Sequence, residues 1–143
     1  MRDNGGLLIA HLNRRTSGED VVDALAELYE VKKYDFTAVG TPSTATSVPY
    51  QVIQRSSGFL TTVEIYAGLD DLPVVPLSDA GFALHLSKKF GVDVAIPKPG
   101  SNWRWLVIHP DGSVSEGNEG NTDDNALEIN DLEPVPSGTV EFR

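Results

Sequence analysis

Only two segments of this chain carry the period of a helix, while strand chemistry recurs along most of the remainder. In the first, Thr16 and Glu19 form a capping box with Asp20 in the opening turn. Val21, Leu25, Leu28 and Tyr29 then recur at helical spacing beside Ala24, and Lys32 and Lys33 close the segment. The second begins at Ser78 and Asp79, lines up Phe82, Leu86 and Phe90 beside Ala83, and ends at Gly91 after Lys88 and Lys89. Two helices cannot cover both faces of a large parallel sheet. The expected class is therefore α+β: a mixed or mostly antiparallel sheet with both helices on one face.

Strand candidates are residues 6–12, 36–39, 50–54, 59–66, 92–96, 103–109 and 113–115, which gives the order β-α-β-β-β-α-β-β-β. Arg55-Ser56-Ser57-Gly58 reads as a hairpin connection and residues 41–47 as a loop. Pro110-Asp111-Gly112 is a turn, because Pro presets one φ and Gly supplies a positive one. A split βαβ, ferredoxin-like arrangement with extra hairpins is the leading topology. At 143 residues, without an internal repeat, the chain reads as a single domain over 1–143. Residues 116–126 read as an acidic, solvated loop and 133–143 as a loose C-terminal segment, with 139–142 a candidate last strand.

Charge is placed unevenly. Residues 105–143 hold nine acids (Asp111, Glu116, Glu119, Asp123, Asp124, Glu128, Asp131, Glu133, Glu141) and one base, Arg143, so about −8 of the formal −10 lies there. Such a concentration repels itself and contributes nothing to folding, so it concerns a partner or solubility. An acidic chain binds nucleic-acid phosphates and anionic lipid surfaces poorly. The chain has no cysteine, which excludes disulfides, thiol nucleophiles and cysteine zinc sites. Leu7-Leu8-Ile9-Ala10 is too short for a signal-peptide core, and no run approaches the roughly 18 apolar residues of a membrane helix. A cytoplasmic location is the expectation.

No catalytic, metal or cofactor motif stands out. His109-Pro110-Asp111 matches the tripeptide of J-domain cochaperones, but a strand leads into it and a glycine follows, so it reads as a tight turn. Asp111 to Asp124 has the composition of a calcium loop without its spacing. His11, His85 and His109 have no metal-ligand spacing, and any of them needs a spatial partner to act as a base. Asp70-Asp71 can pair for acid–base work or simply occupy a loop. Trp103 and Trp105 fall on one side of a strand, with Val107 and His109. Both rings either face a core or form, beside the acidic loop, an anchor-plus-charge binding surface.

Residues 77–84 and 90–97, followed by Trp103-Arg104-Trp105-Leu106-Val107-Ile108-His109-Pro110-Asp111-Gly112, resemble in cadence the small immunity proteins of bacterial polymorphic-toxin systems. The resemblance covers about a quarter of the chain and rests on a helix–strand–hairpin rhythm. It implies a short, acidic, cytoplasmic α+β protein that binds and occludes a cognate toxin without catalysis, and it transfers no functional residue. The expected partner is a basic protein, a toxin domain, met by Trp103, Trp105, Asp111, Glu116, Glu119, Asp123, Asp124, Glu128 and Asp131. No cofactor is expected, and no metal, nucleic acid or membrane. The alternatives are a small enzyme or ligand-binding domain with a pocket between sheet and helices, using His85, His109 or Asp70-Asp71, and a structural or phage accessory protein.

Overall fold

The computed structural model describes residues 7–30, 36–39, 48–66, 78–136 and 138–142. Lys32, Lys33, the 41–47 segment and Asp70-Asp71 lie outside the described residues. In chain order the elements are β1 (Leu7–Leu12), α1 (Gly18–Tyr29), β2 (Phe36–Ala38), β3 (Val48–Gln54), β4 (Ser57–Gly58), β5 (Thr61–Tyr66), α2 (Asp79–Phe90), β6 (Val94–Pro97), β7 (Arg104–Ile108), β8 (Val114–Asp123) and β9 (Ala126–Pro134). Among the described residues the nine strands form one sheet in the order β2-β3-β5-β1-β6-β7-β8-β9-β4. The β2–β3 and β4–β9 pairs are parallel and the rest antiparallel, so the class is α+β with a mixed sheet.

That order contains a geometric constraint. β4 lies in the short connection between β3 and β5, near one end of the sheet, yet its partner is β9 at the other end. The sheet must curl until its last long strand meets that connection. Ser56 and Ser57 N–H groups donate to Asn125 O (2.8 and 3.2 Å), and Phe59 N–H donates to Leu127 O (2.8 Å). Pairing the exposed edge in this way satisfies backbone groups that would otherwise need water.

Curling gives the sheet two cores. Alternate residues of the central strands (Leu8, Ala10, Leu12, Val63, Ile65, Val94, Ile96, Leu106, Ile108) form the larger one with Val21, Leu25 and Tyr29 of α1 and Phe82, Ala83 and Leu86 of α2. On the opposite side of β6 and β7, Ala95, Trp105 and Val107 form a smaller core with Phe59 and Leu127. Phe59 and Leu127 are the residues that the closing hydrogen bond joins, so closure and the second core are one feature.

Helix α2 follows its sequence signals: Ser78 Oγ accepts from Gly81 N–H (3.2 Å), and Gly91 takes the left-handed conformation at the end (φ 66°). Buried Ser87 then donates to Val92 O at 2.6 Å, tying the helix end to the start of β6. In α1 the cap is Ser17, not Thr16, with its Oγ accepting from Asp20 N–H at 3.1 Å. Thr16 is occupied elsewhere: it is buried, and its N–H donates to Thr61 Oγ1 on β5 at 2.9 Å.

Three further expectations are corrected. Residues 116–126 are not a loop; they are most of β8, a two-residue turn at Asp124-Asn125, and the start of β9. Glu133 and Pro134 are not loose but end β9, while Val140 and Phe142 pack against the larger core. Residues 139–142 do not form a strand.

Gly58 sits where β4 meets β9, with φ 75°, and a Cβ there would lie 1.9 Å from Leu127 O. Gly58→Ala is expected to lower stability by about 2–3 kcal/mol through left-handed strain and a backbone clash. Gly18→Ala, which meets nothing within 4 Å, serves as the matched control and leaves stability unchanged or slightly raised. Urea unfolding of both variants checks this, and equal midpoints would contradict the closure.

Candidate functional site

The β8–β9 hairpin, residues 114–134, holds seven acids and no lysine or arginine. Its backbone pairs with β7 along β8 and with β4 at the start of β9, and two register irregularities lie between β8 and β9 themselves. Glycines make the close approach workable: a Cβ on Gly117 would stand 2.7 Å from both Asn130 O and Ile129 Cγ2. Asp123 Oδ1 accepts from Asn125 N–H (2.8 Å) and stabilises the turn at the tip. Non-glycine φ is positive at Asp131 (57°), so β9 bends there, a feature that blunts its outer edge.

The two tryptophans do not act as a pair. β7 starts at Arg104, so Trp103 stands before the strand and is 61% exposed, whereas Trp105 is 8% exposed in the smaller core. Trp105 packs edge-on against His11 with ring centroids 5.3 Å apart, and its Nε1–H donates to Glu119 Oε1 at 3.2 Å. Burial removes Trp105 from the surface role expected of it. Trp103 stays on the surface: its carbonyl accepts from Glu119 N–H (2.9 Å), which fixes its backbone beside β8, and the Arg104 guanidinium stands 5.9 Å from its ring.

The acids are not one patch either. Asp111 lies in the turn before β8 and Asp123 at the far end of that ten-residue strand, which spans roughly 30 Å at about 3.3 Å per residue. Ser113, through its hydroxyl (2.6 Å) and N–H (2.9 Å), holds the Asp111 carboxyl below its usual range. Glu116 is neutralised within the chain by Lys98 (2.9 Å) and Arg104 (2.5 Å), which hold its carboxyl low as well. That arrangement also relieves Glu133, which the register places directly across from Glu116. Glu128 stays beside β4, with Ser57 Oγ at 3.3 Å from its carboxylate. Six acids thus remain on the hairpin without an ion pair among the described residues: Glu119, Asp123, Asp124, Glu128, Asp131 and Glu133.

The histidines take three different environments. His11 is buried, with Nδ1 2.7 Å from Thr62 Oγ1, and burial, reinforced by the Arg55 charge, lowers its pKa to about 3. His85 is also pushed down, chiefly by burial, and its Nε2 is a buried atom without a hydrogen-bond partner. His109 bonds to Asp93 and Ser115. A cleft of about 430 Å³ opens between the start of α2 and the C-terminal segment, walled by Ile96, Leu106, Val135 and Val140 with Lys98 and Glu116 at its side. Neither His85 nor His109 lines it. No group of three or more potential metal ligands is present among the described residues, and no helix among them is long and apolar enough to cross a membrane. Comparison with protein-family models, curated proteins and solved structures gave no match.

His11 makes stability depend on pH. The folded protein holds it neutral down to about pH 3, while the unfolded chain protonates near 6.5. Its contribution is therefore complete above pH 6.5 and is lost as pH falls toward 3, at up to about 1.4 kcal/mol per pH unit. Denaturant unfolding between pH 6 and 4.5 is expected to show a slope shallower by about one kcal/mol per unit in His11→Gln than in the parent protein. Identical slopes would place His11 in water.

Proposed function

We propose that this protein is a stoichiometric binder of a basic protein, an immunity-type inhibitor that occludes a cognate toxin domain. The observation that carries the reading is the combination on one ordered hairpin of six carboxylates lacking ion pairs among the described residues with Trp103 exposed at its flank. Like charges held together on a fixed frame cost stability, and a cationic partner relieves that cost. An exposed indole beside them supplies the apolar anchor that charge alone does not, since tryptophan is enriched at binding hot spots. The docking surface is Trp103 with Glu119, Asp123, Asp124, Glu128, Asp131 and Glu133. Asp111 stands apart from it, Glu116 is already neutralised, and Trp105 supports it from beneath.

The scaffold fits a small binder of this kind. The strand order contains the run β3-β5-β1-β6, which we read as a split βαβ, ferredoxin-like core with α1 and α2 on one face, extended by β7, β8 and β9. The extension is the part that carries the charge. Location in the cytoplasm, where a delivered toxin would act, belongs to the same proposal.

The test is capture of the partner from a lysate of the source cell, followed by kinetics on the isolated complex. The wild type is expected to retain one basic protein at equal stoichiometry. Asp124→Asn, Asp131→Asn and Glu133→Gln together, which disturb no buried group, slow association severalfold at 50 mM salt and little at 500 mM. Trp103→Ala instead speeds dissociation, by roughly 10-fold or more. Capture of no partner, or association unchanged in the triple variant, would contradict the proposal.

A further inference from the structure

Three side chains that the binding surface does not use stand in a row across neighbouring strands. Asp93 immediately precedes β6, His109 immediately follows β7, and Ser115 is the second residue of β8. Val94 pairs with Ile108, so Asp93 lies across from His109, while Ser115 pairs with Val107, two residues before His109 on the same side of β7. His109 Nδ1 is 2.8 Å from Asp93 Oδ1, and Nε2 is 2.8 Å from Ser115 Oγ.

These contacts assign the protons. An ionised carboxylate only accepts, so Nδ1 carries the hydrogen toward Asp93. In neutral imidazole Nε2 is then an acceptor, and the Ser115 hydroxyl must be its donor. The backbone holds this alignment: His109 N–H donates to Ser113 O (2.9 Å), Gly112 N–H to His109 O (2.9 Å) and Asn13 N–H to Asp93 O (3.0 Å). The side chains of His109 and Asp93 are 26% and 35% exposed, so a solute can reach the row without opening the fold. A hydroxyl donating to a base that a carboxylate orients is the arrangement that makes serine a nucleophile, recognised by geometry and not by position in the sequence.

We propose that Asp93, His109 and Ser115 form an acyl-transfer site, with Ser115 attacking small, activated carboxylic esters. Ser115 Oγ bonds to the ester carbonyl carbon as its proton passes to His109 Nε2, and Asp93 stabilises the imidazolium. The bond from carbonyl carbon to alcohol oxygen then breaks, and the alcohol leaves with the proton from Nε2. Water, deprotonated by the same nitrogen, attacks the acyl-Ser115 ester and releases the carboxylic acid and free Ser115. The row does not line the cleft between α2 and the C-terminal segment. It is also independent of the binding surface, so either proposal can fail alone.

Only general-base activation is invoked, which is worth about 10²–10⁴-fold. The full chain is incubated with p-nitrophenyl acetate, with p-nitrophenolate followed by absorbance and the acetylated position located by peptide mass spectrometry. Ser115 is expected to be the first hydroxyl acetylated, at least about 100-fold faster than in His109→Gln, with Ser115→Ala giving no adduct at that peptide. Asp93 acts through His109 as a positioning residue. In Asp93→Asn, nitrogen NMR of the imidazole is expected to show the proton no longer confined to Nδ1, alongside slower acetylation. A fluorophosphonate probe on the wild type, native against urea-unfolded, requires no variant to fold and should label Ser115 only in the native state. Acetylation of Ser115 no faster than of other serines, or unchanged in His109→Gln, would overturn the proposal.

Discussion

The pairing of β4 with β9 is the contact on which the arrangement of this molecule depends. Two residues, Ser57 and Gly58, reach from the connection between β3 and β5 to the first residues of β9 and join the two ends of the sheet order. Hydrogen bonds to Asn125 O and Leu127 O fix the position, and Phe59 and Leu127 cover the second side of β6 and β7. Without that cover, Trp105 and Val107 would face water on a strand whose other side is already committed to the larger core. Burying two aromatic and several aliphatic side chains there contributes several kcal/mol, on the order of 1.5–3 kcal/mol for each large one. His11 and Thr62 lie under the same cover, and for that reason His11 stays neutral.

The uneven charge takes its meaning from this closure. A hairpin with seven acids and no base is a poor candidate for spontaneous order, and its own propensities argue for a solvated segment. Neighbours impose the order: β7 pairs along β8, β4 fixes β9, and Lys98 with Arg104 absorbs the charge nearest the sheet centre. What remains is a set of carboxylates without an ion pair among the described residues. Held on a frame instead of a flexible tether, they would lose less entropy on meeting the cationic partner proposed above, which is the advantage of preorganisation.

Much of the scaffold was legible in the sequence because its signals are local. Ser78 and Gly91 bracket α2 through capping chemistry, and the alternation around residues 61–66 and 104–108 marks strands by side-chain period. Thr16 misleads as a cap because a distant hydroxyl, on Thr61, claims its N–H. Beyond Ser115, β8 and β9 were illegible for a related reason: their strand character comes from backbone pairing across residues such as Gly117 and Asn130, whose side chains carry no period. The alternation rule also gave the wrong partner for Trp105, since a strand beginning one residue later leaves Trp103 outside its pleat. Nothing in sequence spacing joins Asp93, His109 and Ser115; only the register of three strands does.

Amide hydrogen exchange along residues 56–59 and 114–134 tests most directly whether the acidic segment is a structural part of the closed sheet. Slow exchange is predicted for Glu119 N–H, bonded to Trp103 O, and for Ser56 and Phe59 N–H, bonded to Asn125 O and Leu127 O, all moving together when the closure is weakened. Exchange of these amides at the rate of an unstructured peptide, while β1 and β5 stay protected, would contradict the account.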